Sequence, residues 1–116
     1  MDTKQIVTNY HSAWTSGNLE AARGYLADEL DFQGSVQTFR RADDFIVGLT
    51  QFHQMLRGVT LLQSFFSEHG AALLYDCDTL SPAGVIRTAE FFTVGDGKIQ
   101  SIRLVFDATE LRKLMG

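Results

Sequence analysis

Apolar residues recur at helical spacing in the first part of the chain and in short strand-like runs in the second part. The first helical pattern follows Asp2-Thr3, which can cap a helix, and it ends at Ser16-Gly17. A second helix is predicted over Leu19–Leu26, a short strand over Leu30–Gly34, and a long amphipathic helix over Arg41–Leu56.

Four predicted strands then follow one another with only short turns between them. They are Val59–Glu68, Ala71–Leu80, Val85–Val94 and Lys98–Phe106, and a last helix is predicted over Ala108–Leu114. The turns are too short to contain helical crossovers, so the strands must pair antiparallel as a meander. Helices segregated from an antiparallel sheet predict an α+β fold, and a twisted sheet covered on one side curls into a cone with an open mouth.

Composition limits the kinds of protein this can be. A chain of 116 residues fits a single domain spanning 1–116, and a net charge of -4 without a basic cluster argues against nucleic-acid binding and against a polybasic membrane surface. The polar N-terminal stretch lacks the apolar core of a signal peptide, and no apolar run approaches a membrane span. A single cysteine fits a reducing compartment, so the sequence predicts a soluble cytoplasmic protein.

At this point the chain resembles the NTF2-like superfamily of cystatin-like α+β cones, and within it the SnoaL-like branch of polyketide cyclases and their relatives. The resemblance rests on an ordered set of segments that covers nearly the whole chain: Tyr10–Asn18, Phe32-Gln33-Gly34, Asp43-Asp44-Phe45, Phe91–Ile99 and Val105-Phe106-Asp107. It implies a cone with a small-molecule cavity and a homodimer. Because the superfamily contains isomerases, hydrolases, dehydratases, cyclases and purely binding members, it implies the fold more firmly than the activity.

Three acidic residues lie in the middle of predicted strands, where burial of an unpaired charge is costly. Alternation along Lys98–Phe106, aligned on the family pattern and propagated to the neighbouring strands, places Asp76, Asp78 and Glu90 in the cavity. In an apolar pocket at least one carboxyl pKa would rise, as a general base requires. The same register predicts a pocket lined by Tyr10, Trp14, Phe32, Leu74, Ile86, Thr88, Phe92, Ile102, Leu104 and Phe106.

The alternative is that these acids face solvent or pair with arginines such as Arg87 and Arg103. The resemblance leaves only Asp78 at a carboxylate position shared with characterised relatives, because the epoxide hydrolases have Arg and Asp alternating where this chain has Asp76 and Asp78. Phe32 and Gly34 stand where the same enzymes have tyrosine and asparagine. Leu104 stands where hydrolases and cyclases have a further acid.

The predicted function is therefore the binding of a small, largely apolar molecule in the cone, with Asp78 as the base of a cofactor-free isomerase, dehydratase or cyclase and Asp76 or Glu90 tuning it. The alternative is a non-catalytic ligand-binding or dimerisation module. No cofactor motif and no metal-ligand spacing occurs. The outer face of the sheet, through Tyr75, Phe91 and Val105, is the predicted homodimer contact.

Overall fold

The computed structural model describes residues 1–109 and 112–113. Its elements, in chain order, are α1 (Thr3–Thr15), α2 (Leu19–Arg23), β1 (Leu26–Gln33), β2 (Thr38–Phe39), α3 (Ala42–His53), β3 (Leu56–Phe66), β4 (Gly70–Thr79), β5 (Val85–Gly95) and β6 (Lys98–Phe106). Three of the seven residues of the predicted terminal helix, Ala108–Leu114, lie outside the described residues. Within the described residues, no helix is both long enough and apolar enough to span a bilayer.

Helix α1 forms where the sequence predicts it, and its caps explain its limits. The Asp2 carboxylate accepts a hydrogen bond from the Gln5 backbone N–H, and the Gln5 side chain accepts one from the Asp2 N–H, which makes a capping box. The helix ends where Gly17 takes a φ of 90°, a conformation that side chains disfavour. Its apolar face, including Tyr10 and Trp14, is fully buried against the sheet.

The next two helices are shorter than predicted. Helix α2 ends at Arg23 rather than Leu26, and α3 ends at His53 rather than Leu56. In both cases the leucine opens a strand instead, because sheet pairing competes with the helical periodicity that it also satisfies. The two-residue strand β2, which pairs with β1, has no predicted counterpart.

The sheet has the order β2-β1-β6-β5-β4-β3. Strands β3 to β6 form the predicted antiparallel meander, and β1 joins β6 in parallel. The sheet is curved and unclosed, and α1 and α3 pack on one side of it. This is an α+β cone, as the sequence predicts. We call the helix-covered side of the sheet the inner face and the opposite side the outer face.

The predicted facing of side chains is right on β5 and wrong on β4. Strands β5 and β6 meet at a two-residue turn and then shift register between Thr93 and Val94, so even-numbered residues face inward on both strands beyond the shift. No shift occurs between β4 and β5, where Tyr75 pairs with Thr88. Directly paired residues share a face, so the odd-numbered residues of β4 face inward.

Candidate functional site in the cone

A cavity of about 140 Å³ opens between α1, α3 and the inner face of the sheet. Eight of its 19 lining residues are aromatic. Strand β5 contributes Ile86, Thr88 and Glu90 at alternate positions, so one face of this strand supplies both apolar wall and a single acid. The remaining lining residues are Tyr10, Trp14, Phe32, Gly34, Ser35, Val36, Gln37, Phe39, Phe45, Gly48, Leu49, Phe52, Tyr75, Cys77, Leu104 and Phe106.

The acid in this wall, Glu90, is held by a tyrosine from the neighbouring strand. Its side chain is only 2% exposed, and its Oε1 accepts a 2.8 Å hydrogen bond from the Tyr75 hydroxyl. Tyr75 lies diagonally across the β4–β5 pair, where long side chains still reach one another. Within residues 1–109 and 112–113, no cation pairs with Glu90 and no donor reaches its Oε2.

The environment shifts the ionisation of these groups in the direction that proton transfer requires. Burial raises the pKa of Glu90 from 4.5 to about 7, although the Tyr75 hydrogen bond opposes the rise. Burial, together with the charge of Glu90, raises the pKa of Tyr75 and that of Tyr10 well above 10.0. Near neutral pH the site therefore holds a carboxyl group poised between its two forms, beside phenols that remain protonated.

Two other titratable groups near the cavity do not change their protonation state near neutral pH. Burial lowers the pKa of His11 to about 4, so its ring, packed 5.0 Å from that of Tyr75, is neutral. Burial and the charge of Glu90 raise the pKa of Cys77 to about 12, which keeps the thiol protonated and weakly nucleophilic. Among the described lining residues, Glu90 is thus the group that can exchange a proton near pH 7.

Solved structures with the same architecture cover almost the whole chain. A protein from Kribbella flavida DSM 17836 is 29% identical, with a TM-score of 0.88 over 96% of this chain and 91% of that one. An NTF2-like protein of unknown function from Cytophaga hutchinsonii is 18% identical, with a TM-score of 0.84 over 97% and 96%. The chain has the NTF2-like fold. The resemblance to NTF2-like and SnoaL-like proteins is thereby confirmed at the level of the fold.

A third structure with this NTF2-like fold contains a ligand. It is a protein with a ketosteroid isomerase-like fold from Catenulispora acidiphila, in complex with trimethylamine. It is 17% identical, with a TM-score of 0.72 over 89% of this chain and 85% of that one. No protein-family model and no curated protein matches the sequence.

The structure separates the three predicted acids of this NTF2-like cone. Asp76 lies on the outer face, where Arg87 donates two hydrogen bonds to its carboxylate at 2.8 and 3.0 Å, and this contact lowers its pKa. Asp78 lies on the same face and is exposed. The prediction that both share the cavity with Glu90 is therefore wrong, because the β4–β5 hairpin reverses the assumed alternation. Only Glu90 lies in the cavity.

The other predicted pocket residues divide into three groups. Those in the cavity wall are Tyr10, Trp14, Phe32, Ile86, Thr88, Leu104 and Phe106. Phe92 and Ile102 face inward but pack in the core beyond the cavity. Leu74 lies on the outer face, so its predicted place in the pocket is wrong for the same reason as for the two aspartates.

Sequence reasoning missed the part of the wall contributed by α3 and β4. Phe45, Leu49 and Phe52 recur on one face of α3 at spacings of four and three, a signal that was visible in the sequence. The sequence predicts Tyr75 and Cys77 on the outer face, but both face inward and are buried. Tyr75 therefore cannot supply the predicted homodimer contact. Of the three residues predicted for the homodimer contact, Phe91 and Val105 are exposed on the outer face.

The described part of the chain offers no metal site: in residues 1–109 and 112–113 no group of three His, Cys, Asp or Glu side chains lies close enough to hold an ion. The polar groups of the described lining residues include one carboxyl group, two buried phenols and an indole.

Proposed function

We propose that this protein binds a small, largely apolar molecule in the cone and transfers a proton on it, with Glu90 as the base. The observation that carries the proposal is the one buried carboxyl group among the described residues of the cavity wall, with its pKa raised to about 7 by burial. A base with a pKa near the working pH combines a useful ionised fraction with a useful proton affinity. Catalysis of this kind needs no cofactor.

The reaction class that suits this arrangement is removal of a proton from carbon next to a carbonyl group. Ionised Glu90 takes the proton, the C–H electron pair forms a carbon–carbon double bond, and the carbonyl π electrons move to oxygen. Return of the proton from Glu90 to the far carbon of a neighbouring C=C bond re-forms the carbonyl and completes an isomerisation. Donation of that proton to a hydroxyl group on the β carbon instead lets this group leave as water, while the carbonyl re-forms, and completes a dehydration. Tyr75 fixes Oε1, and no described group competes for Oε2.

The alternative function is binding without turnover, and one observation favours it. A protein with the same fold was solved with trimethylamine, a small molecule, bound to it. An aromatic cavity with one acid is suited to holding a small ligand whether or not a proton is transferred. The experiment must therefore measure chemistry separately from binding.

We would test proton transfer with 3-cyclohexen-1-one, a small ketone whose isomerisation to the conjugated 2-enone is followed by ultraviolet absorbance. Glu90→Gln should lower the rate by about 100-fold or more, because the amide cannot accept the proton. Asp78→Asn, which removes an exposed acid on the opposite face, is the matched control and should keep the wild-type rate. An unchanged rate in Glu90→Gln would exclude Glu90 as the base, and a rate no faster than in buffer would favour binding alone.

We also propose that a second copy of this chain covers the outer face. Phe65, Phe91 and Val105 are 65%, 49% and 56% exposed, and Leu74 and Ala89 pair between them on adjacent strands. An exposed apolar surface of this kind marks an association site. Phe91→Lys should convert a dimer to a monomer in size-exclusion chromatography with light scattering, with Thr93→Lys as the control on the same strand. If the wild-type protein is already monomeric at high concentration, the dimer proposal fails.

A further inference from the structure

One oxygen atom of the buried carboxyl group is open to the cavity. Glu90 Oε1 accepts the hydrogen bond from Tyr75, whereas Oε2 accepts none from the described residues. The side-chain polar atoms of the described residues that are fully enclosed by protein and lack a partner are the Tyr10 hydroxyl, His11 Nδ1, Trp14 Nε1 and Asp31 Oδ1. Oε2 also lacks a partner but is not one of these enclosed atoms, so it retains surface that an occupant of the cavity can touch.

The ionised form of this group has no counter-charge. Among the described residues that line the cavity, Glu90 is the one acid and no lysine, arginine or histidine accompanies it. A buried carboxylate is costly unless a cation or hydrogen-bond donors pair with it. Burial raises the pKa of Glu90 to about 7, so about half of the protein molecules carry this uncompensated charge at neutral pH. A positive charge or a donor placed at Oε2 by an occupant of the cavity would compensate it.

We propose that the cavity binds a small organic ammonium ion and that Glu90 is its counter-charge. One N–H of the ammonium group donates to Oε2, and the hydrocarbon part contacts the aromatic wall. This inference goes beyond the proposed function, because it adds a second class of ligand and does not depend on turnover. The ammonium group and a substrate C–H would occupy the same position at Oε2, so the two ligands would compete.

The aromatic wall suits the hydrocarbon part of such an ion. Rings from three elements pack together at one part of the wall, where the centroid of Phe32 lies 4.6 Å from that of Phe45 and 5.8 Å from that of Phe39. Aromatic rings attract organic cations that lie over their faces. At about 140 Å³ the cavity is close to the engineered cavity of about 150 Å³ that holds benzene, so one six-membered ring fits.

Other classes of small molecule suit the wall but not the acid. An anion would be repelled by ionised Glu90, in a cavity with no cation among its described lining residues. A neutral molecule without an N–H or O–H group leaves Oε2 unpaired. A neutral donor such as an alcohol satisfies the oxygen but leaves its charge uncompensated, so it should bind less tightly than a cation of the same shape.

Binding of a cation should depend on pH through Glu90. Strand β6 places the uncharged Leu104 opposite it, and α3 contributes no charged residue to the wall. The phenols and the thiol stay protonated and the imidazole stays neutral between about pH 6 and pH 8 in the titratable groups that α1 and β4 bring near it, which are Tyr10, His11, Tyr75 and Cys77. The ionised fraction of Glu90 rises roughly tenfold over this range, and the affinity for a cation should rise by the same factor.

The test compares piperidinium with tetrahydropyran, two six-membered rings that differ in carrying NH₂⁺ or O. In calorimetric titration of the wild-type protein, piperidinium should bind roughly tenfold more tightly than tetrahydropyran at about pH 8, and its affinity should fall roughly tenfold at about pH 6. The affinity for tetrahydropyran should not rise with pH. Glu90→Gln should remove both the preference for piperidinium and its pH dependence, whereas Asp78→Asn, on the outer face, should keep both.

Three results would overturn the inference: tetrahydropyran binding as tightly as piperidinium at about pH 8, an affinity for piperidinium that does not rise with pH, or no binding of piperidinium at about 0.1 M. The pH comparison uses the wild-type protein, so it decides even if Glu90→Gln fails to fold. If piperidinium binds as expected and 3-cyclohexen-1-one is not isomerised, the proposed catalysis is refuted and this inference stands. Isomerisation without binding of piperidinium would do the reverse.

Discussion

Replacing Glu90 with glutamine should change how the stability of the fold depends on pH. Burial raises the pKa of this carboxyl group from 4.5 in an unfolded chain to about 7 in the native state. Between those values the native state binds more protons than the unfolded state, so the free energy of unfolding falls as pH rises. At 1.36 kcal/mol per pKa unit, the loss from below pH 4.5 to above pH 7 is about 3 kcal/mol.

A second buried group acts in the opposite direction. His11 has its pKa lowered from 6.5 to about 4 by burial, so here the unfolded state binds more protons over that range and stability rises with pH. The two contributions are of similar size and largely cancel in the wild-type protein between pH 4.5 and pH 6.5. In Glu90→Gln only the histidine contribution remains, so the free energy of unfolding of the variant should rise markedly as pH increases over this range.

The assay is urea unfolding followed by the fluorescence of Trp14, near pH 4.5 and near pH 8, at one protein concentration because an oligomer unfolds in a concentration-dependent way. The stability of Glu90→Gln relative to wild type should increase by about 3 kcal/mol between the two conditions. Glu29→Gln, which neutralises an exposed carboxylate on β1, is the control and should parallel wild type. If Glu90→Gln also parallels wild type within about 0.5 kcal/mol, burial does not raise this pKa and the base assignment loses its foundation.

Three further predictions concern single groups. Tyr75→Phe should raise the pKa of Glu90 further, because it removes a hydrogen bond to the ionised form; ¹³C NMR of the labelled carboxyl group measures this, and a lowered pKa would contradict it. Cys77, 1% exposed and with its thiol pKa raised to about 12, should react with a thiol reagent only as fast as the protein unfolds, and rapid reaction in native buffer would contradict its placement. Asp76→Asn breaks an exposed pair with Arg87 and should leave ligand affinity in the cavity unchanged; a loss of affinity would place Asp76 at the site after all.

The sequence predicts the elements of this fold better than it predicts which way their side chains face. Strand β6 occurs over the predicted residues, and the other three meander strands differ from prediction by a few residues at their ends. Facing depends on details that an alternating pattern does not contain. The sequence analysis assumes that even-numbered residues face inward on all three strands. The β5–β6 hairpin contains a register shift and the β4–β5 hairpin does not, so this assumption is right for β5 and β6 and wrong for β4.

Strand β4 carried a signal against that register in its own composition. Leu74, Asp76 and Asp78 occupy one alternation, while the uncharged Leu73, Tyr75 and Cys77 occupy the other, so the cost of burying two aspartates favoured the second set as the inner one. The wall from α3 was predictable in principle, since its aromatic residues share one helical face. The β2 strand and the parallel pairing of β1 with β6 depend on contacts between distant segments, which no local pattern encodes.

Loss of the two aspartates from the cavity strengthens the case for proton transfer. If three carboxyl groups shared the cavity, their raised pKa values would depend on mutual repulsion, and their protons would be shared among several sites. For a single carboxyl group, burial alone raises the pKa. The burial of Glu90 is predictable from its strand, because Ile86, Thr88, Phe92 and Val94 occupy the same alternation of β5 and are all buried. Burial of an acid on such a face lowers the stability of the fold, for Glu90 by about 3 kcal/mol above pH 7. Glu90 bears that cost in the wall of the cavity, which supports the proposal that it takes a proton from a bound ligand.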